Sequence, residues 1–342
     1  MRIISPSAEI MQAIKNPQKH IENIARTCYK SNDLITIDSD KKFINNLRSL
    51  KHWAMLEHYI FIYRVTDAFI NQFIDEAREC NVSLQYMKIT NKCDRNLISF
   101  SARTLLDLCA MVDDFIPGFP EESFRDRVYS LMQQCVYDYE CNELFNVEPK
   151  DNLRFTPVTL SELEKDYTEE EFMVHGWKSV KFICDRGVSH EIVRHRDASF
   201  AQESTRYCSY NKDKFGNEIT VIKPLMFNED SDDVNEQQKY KFWKEAMKHA
   251  EDLYFYLIDM EATAQEARSV LPNSLKTEII MTARNYEWVH FFELRCDKAA
   301  HPQMREVAIP LCMEFCNESN IFNFYAKEIM YNINNGGAIN NV

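Results

Sequence analysis

Residues 176–207 run GWKSVKFICDRGVSHEIVRHRDASFAQESTRY. Val180, Phe182 and Cys184 alternate with Lys181, Ile183 and Asp185 at the period of a strand. Gly187-Val188-Ser189-His190 offers a turn and a cap, so Ser189 to Arg194 is expected to form a short helix that brings Arg194, His195 and Arg196 to one place. Beyond it, an extended chain puts Gln202, Ser204 and Arg206 on one face and Glu203, Thr205 and Tyr207 on the other. A strand with two polar faces has no ordinary core to cover. It is expected to line a cleft or a subunit boundary.

Arg194-His195-Arg196 and Ser204-Thr205-Arg206-Tyr207 place three guanidiniums, an imidazole and two aliphatic hydroxyls within fourteen positions. A run of charges is ordinarily a solvated face. Here Phe200, Ala201, Tyr207 and Tyr210 are interleaved with it, which a surface helix would not show. Guanidinium grips phosphate bidentately, stacks on conjugated rings and stays charged, so the pattern suits planar, phosphorylated ligands.

Outward from this stretch, amphipathic helices are predicted over 8–28, 41–50, 66–79, 120–141, 233–264, 274–295 and 302–331. Strands are predicted at Tyr59–Tyr63, Asn96–Ser101, Ser179–Cys184 and Thr220–Ile222. The fold class is α+β: a mixed or antiparallel sheet flanked by long helices, with a large helical insertion. Residues 332–342, rich in Asn and Gly, are expected to be a flexible tail.

Composition narrows the function. The chain has 342 residues, 45% of them hydrophobic, enough for a large core, and a formal charge of −13, which repels nucleic acid and anionic membrane. No apolar run is long enough for a membrane span, and Met1–Pro6 do not open a secretory leader, so a cytoplasmic protein is expected. The eleven cysteines form no Cys-x-x-Cys pair, which disfavours disulfide scaffolds and zinc ribbons. Six glycines allow neither Gly-x-Gly-x-x-Gly nor a Walker loop, so side chains must hold any dinucleotide phosphates. His190-Glu191 followed by His195 misses the His-Glu-x-x-His zinc pattern by one residue, and no metal is expected.

Arg194-His195-Arg196, seven residues, then Ser204, extended by Gln202 to Tyr207, resembles the signature of the flavin-dependent thymidylate synthases. Ala25–Ser31, Leu56-Glu57-His58, Ala267–Pro272, Trp288–Phe291 and Leu294–Asp297 are similar to further blocks of that family. The resemblance covers roughly 20–64 and 176–310. It implies a core of 1–64 and 176–331, with 65–175 as an atypical insertion packed on the sheet rather than a separate ligand-binding domain.

The resemblance implies reductive methylation of dUMP to dTMP, with methylenetetrahydrofolate as carbon donor, FAD as hydride carrier and NADPH as reductant. Arg295 is then the residue against the pyrimidine, with His52 approaching flavin and folate as a second catalytic candidate. The implied dUMP contacts are Glu191, Arg194, Gln202, Glu203, Ser204, Thr205, Arg206, Arg268 and Arg295. Those to FAD are Ala54, Arg194, His195, Arg196, Gln202, Arg284, Tyr286 and His290, with the 284–290 block coming from another subunit of a homotetramer. Glu191 stands where the family commonly has glutamine, and Tyr286 where arginine is common. Simpler readings pair Arg268 with Glu266 or Glu261, pair Arg295 with Asp297 or Glu293, and make His290 a core histidine. A nucleotide-binding regulator of the same fold without turnover is the alternative function.

Overall fold

The computed structural model describes residues 1–92, 95–113, 121–149, 155–211 and 216–336. The four-stranded sheet that carries the site has the order β2-β7-β10-β8, formed by Ser7–Met11, Trp177–Asp185, Lys276–Arg284 and Ala198–Gln202. All its pairings are antiparallel, with Lys276 opposite Asp185 and Arg284 opposite Trp177 in the central ladder. A second antiparallel sheet has the order β4-β5-β3-β6, formed by Lys88–Thr90, Asn96–Ser101, Ile60–Val65 and Thr156–Pro157. A parallel pair, β1 (Arg2–Ile4) with β9 (Thr220–Ile222), completes the strands. The two strands expected at Tyr59–Tyr63 and Ser179–Cys184 both form, in different sheets.

The helices before β7 are α1 (Pro17–Ala25), α2 (Ser39–Ser49), α3 (Asp67–Glu79), α4 (Ala102–Asp113), α5 (Glu121–Tyr139), α6 (Asn142–Phe145), α7 (Leu160–Asp166) and α8 (Glu169–His175). After it come α9 (Arg186–Ile192), α10 (Val234–Asp259), α11 (Ala264–Ala267), α12 (Asn285–Arg295), α13 (Pro302–Glu318), α14 (Asn320–Tyr325) and α15 (Lys327–Gly336). Helix α15 takes in the first residues of the expected tail; 337–342 lie outside the described residues. No described helix is long and apolar enough to cross a membrane.

Three expectations are corrected. The helix predicted over 8–28 is two elements, because Asn16 accepts from the Gln18 and Lys19 amides at 2.9 and 3.1 Å and Pro17 takes the first helical position. The chain before this cap is free to pair with β7 as β2. The helix predicted over 274–295 begins only at Asn285. Lys276–Arg284 is a strand flanked by β7 and β8 and buried at every position from Thr277 onward, so it shows no alternation to distinguish it from a buried helix. Helix α9 starts earlier than expected, capped by Asp185, whose Oδ1 accepts from the Val188 amide at 2.7 Å.

One continuous apolar cluster joins both sheets and their helices, running through Ile21, Phe61, Phe100, Phe124, Phe182 and Trp288. Segment 65–175 therefore shares its core with the rest of the chain. A smaller cluster around Val221, Trp243 and Leu275 lies under α10. At the junction of α8, β7 and α12 only glycine fits at 176, since a Cβ there would run into the Asn285 side chain and the Phe172 carbonyl. Asn285 Nδ2 donates to that carbonyl at 3.0 Å, which fixes the turn from β10 into α12 and hence the position of Arg284.

Candidate active site

Helix α9 and the last turn of α12 bring Glu191, His195 and Arg295 together. Arg295 donates from Nε to His195 Nε2 at 3.1 Å and from Nη2 to the Glu191 carbonyl at 2.8 Å, while Nη1 lies 3.4 Å from the Glu191 carboxylate. These partners come from the signature block, not from Asp297 or Glu293. His195 is buried, and burial, aided by the Arg295 and His290 charges, lowers its pKa to about 4. It is a neutral ring whose Nε2 accepts, which assigns its proton to Nδ1. The His290 ring centroid is 6.0 Å from that of His195, and His290 is 54% exposed, so it is not a core histidine.

Strand β8 ends at Gln202, so the expected extended run to Tyr207 does not form. The chain turns instead, the Tyr207 and Cys208 amides donating to the Ser204 carbonyl at 3.2 and 3.0 Å. Gln202 and Ser204 still lie near each other, but not on one strand face with Arg206. Gln202 Nε2 donates to Ser189 Oγ at 2.9 Å and to Thr277 Oγ1 at 3.3 Å. The Ser204 amide donates to the Cys28 carbonyl at 3.1 Å, tying the signature to the 25–31 block. Arg206 is exposed and reaches Gln265 Oε1 from Nε at 2.8 Å, which draws it toward Arg268, exposed one turn further on. Arg268 has no ion pair with Glu266, whose carboxylate closes the Thr263 capping box. Thr205 is half-buried beside them.

Glu203 is 3% exposed and its carboxylate accepts from Lys276 Nζ at 2.9 Å, in a network with Lys30, Lys181 and Glu278. It is thus committed internally rather than presented to a ligand. Burial would raise the pKa of Glu278, but Lys276 and Lys30 hold it at about 2. His52 Nδ1 is 2.9 Å from Tyr29 Oη, and the Tyr29 ring lies 5.6 Å from that of Tyr207, so His52 joins the same neighbourhood. Ala54 and Arg194 are exposed.

Arg196, Arg284 and Tyr286 line one cleft of about 620 Å³ between the two sheets. Arg196 of one expected block and Arg284 and Tyr286 of the other thus line the same cleft of one chain. Arg284 is 7% exposed and among the described residues donates only to neutral acceptors, Ser99 Oγ at 2.7 Å, the Ser99 carbonyl at 3.1 Å and the Val174 carbonyl at 3.2 Å. Burial lowers its pKa to about 10. The sequence reading missed Glu57, Lys88, Ser101, Arg103 and Thr104, which also line the cleft. All but Glu57 lie in 65–175, where no motif marks them. Among the described residues no group of three or more His, Cys, Asp or Glu could hold a metal ion.

An antiparallel sheet flanked by helices, with Glu191 and His195 held against Arg295 at the end of α12, defines an α+β protein. The sequence profile described as thymidylate synthase complementing protein matches residues 9–140 and 172–318, running past residue 65 and leaving 141–171 between its parts. The chain belongs to this family, that of the flavin-dependent thymidylate synthases. It is 36% identical over 126 residues to the flavin-dependent thymidylate synthase of Geobacter sulfurreducens, covering 37% of this chain and 50% of that one. To the Pyrococcus furiosus enzyme of the same name it is 33% identical over 138 residues, 40% of this chain and 53% of the other. It spans about half the length of these curated relatives. A crystal structure of a UMP/dUMP methylase PolB from Streptomyces cacaoi aligns over 96% of this chain and 97% of its own at 12% identity, with a TM-score of 0.42, too loose to carry residue correspondences.

Proposed function

We propose that this chain catalyses reductive methylation of dUMP to dTMP, taking carbon from methylenetetrahydrofolate and electrons from NADPH by way of bound FAD. The observation that carries the reading is the Arg295 cluster: a cation pinned by the signature block inside a family match that spans most of the chain. Pyrimidine C5 is a weak nucleophile, and its attack needs negative charge on the ring to be stabilised by a donor already in place. Arg295 is held by His195 and Glu191 in one orientation, so little reorganisation is needed as charge grows. Ser204, Arg206 and Arg268 lie where a phosphate ester can be gripped, and Arg206 and Arg268 keep exposed guanidiniums for it.

The cleft fits a flavin nucleotide. Its size is ordinary for small-molecule sites, ~300–1,000 Å³, and it joins arginines with Tyr286. When bound, flavin supplies hydride transfer. The chain's part is to hold it through Arg196, Arg284 and Tyr286, with neutral His195 nearby. We read 65–175 as inserted into a core of 1–64 and 176–331, since among the described residues its strands pair only with β3 and each other. The homotetramer belongs to this reading as the assembly that the family resemblance implies. Light scattering should give four chains for an active sample.

The test is an absorption spectrum with FAD titration, followed by chromatography of dUMP incubated with methylenetetrahydrofolate and NADPH. Flavin binding with dTMP formation is expected. A protein that binds dUMP but makes no dTMP would instead be the regulator, and one that binds no flavin would end the proposal.

A further inference from the structure

The walls of the cleft come from two parts of the chain. Arg196, Arg284 and Tyr286 lie beyond residue 175, whereas Lys88 on β4 and Arg103 on α4 belong to segment 65–175, which the family profile follows as far as residue 140. Four cations thus meet there with three carboxylates, those of Glu57, Asp107 and Asp197, which leaves the lining one positive charge in excess in a chain whose formal charge is −13. Arg103 is held by Asp107 at 2.6 Å, with Glu57 4.0 Å away. Lys88, Arg196 and Arg284 have no carboxylate at ion-pair distance among the described residues. The Lys88 ammonium lies 5.3 Å from the Tyr286 ring centroid, which places the segment's cation over an aromatic ring of the core.

Segment 65–175 also sets Arg284. Ser99 Oγ accepts from Arg284 and lies 2.8 Å from His175 Nδ1, and His175 Nε2 lies 2.8 Å from Thr90 Oγ1. Ser99 Oγ accepts from the guanidinium and shares a hydrogen bond with His175 Nδ1, and His175 Nε2 shares the next with Thr90 Oγ1. The chain of neutral partners fixes the guanidinium without neutralising it. A buried cation without a counter-charge is costly, and an anionic ligand in the cleft removes that cost.

We propose that segment 65–175 completes the flavin site, with Lys88 and Arg103 joining Arg196 and Arg284 on the phosphates of the flavin nucleotide. This rests on the flavin reading. Several cations suit a multiply charged phosphate part, and the tyrosine suits a planar ring. The chain has no glycine-rich phosphate loop to do the work with backbone amides. Charged side chains must do it instead.

Riboflavin, FMN and FAD share a ring system and differ in phosphate, so they separate the two contributions. Each is titrated into the full chain by flavin fluorescence at two salt concentrations, for the wild type, Lys88→Ala, Lys88→Arg, Arg103→Ala, Arg103→Gln and the Lys88→Ala/Arg103→Ala double variant. The wild type should bind FAD and FMN about 10-fold or more tighter than riboflavin, with the margin shrinking at high salt. Lys88→Ala and Arg103→Ala should each weaken FAD and FMN by about 10-fold and leave riboflavin unchanged, with Lys88→Arg restoring most of the loss. If Arg103→Ala lowers the melting temperature, Arg103→Gln, which can still bond Asp107, carries the comparison. A wild type that binds FAD while the double variant binds it equally well overturns the role of the segment and leaves the flavin reading standing. A wild type that binds no flavin overturns both.

Discussion

Replacing Arg295 with alanine tests electrostatics and packing in one variant. The change removes the 3.1 Å bond to His195 Nε2, the 2.8 Å bond to the Glu191 carbonyl and the 3.4 Å approach to the Glu191 carboxylate. Two good bonds from a charged donor, at the last turn of α12 where a cation also suits the helix dipole, amount to about 3 kcal/mol of stability. His195 should report the change directly. Burial is the larger cause of its low pKa and Arg295 the next, so without Arg295 the pKa should rise from about 4 toward the ordinary histidine range without reaching it. Arg295→Lys keeps a charge but cannot donate to a ring nitrogen and a carbonyl in one plane, so it should restore the depressed pKa better than the rate. NMR titration of the histidine ring protons reads the pKa. Single-turnover methylation at saturating dUMP reads the rate, which should fall on the order of 10²–10³-fold in Arg295→Ala. A variant with the wild-type rate, or with an unmoved His195, would show that Arg295 is a structural partner of Glu191 and nothing more.

Acid should destabilise the protein early. His20, His58 and His175 are buried, and burial lowers their pKa values to about 4, 3 and 3. The unfolded chain takes up these protons near pH 6.5 and the folded one does not, so stability falls as pH drops from about 6.5 toward 4, by on the order of 1.4 kcal/mol per histidine per pH unit. Calorimetry at pH 7.5 and 5 should show a melting temperature lower at pH 5 by about 10 °C, and a flat profile would contradict the buried neutral rings. Arg206→Ala should weaken dUMP binding by about 1.5–3 kcal/mol, read by calorimetric titration, with turnover at saturation little changed; a loss confined to turnover would reverse the assignment. Cys184→Ala and Cys208→Ala should each keep substantial methylation by product chromatography, because both thiols are buried and burial pushes Cys184 well up, away from the thiolate a nucleophile needs. Abolished turnover in a folded, flavin-bound variant would call for a covalent cysteine.

Local chemistry made much of this protein readable from its residues alone. The alternation at 180–185 marks β7, and the long amphipathic run from 234 marks α10. The Arg194–Tyr207 signature and the further blocks within 25–31, 56–58 and 267–297 were enough for the family, and four of the expected residues, Glu191, His195, His290 and Arg295, do converge. Strand β10 was not readable, because a strand buried on both sides carries no period and Arg284 leads straight into α12 with no turn residue between. Nor was the commitment of Glu203 to Lys276, since an acid in a ligand motif and an acid in an internal ion pair have the same letter. Only the tertiary structure put Lys88 and Arg103, whose surroundings in the chain say nothing of a ligand, on the wall of a cleft with Arg196 and Arg284. Periodicity and motifs report what neighbours along the chain need from one another, whereas a cleft is made by strands from distant parts of the chain whose pairing is settled only when the whole core is buried.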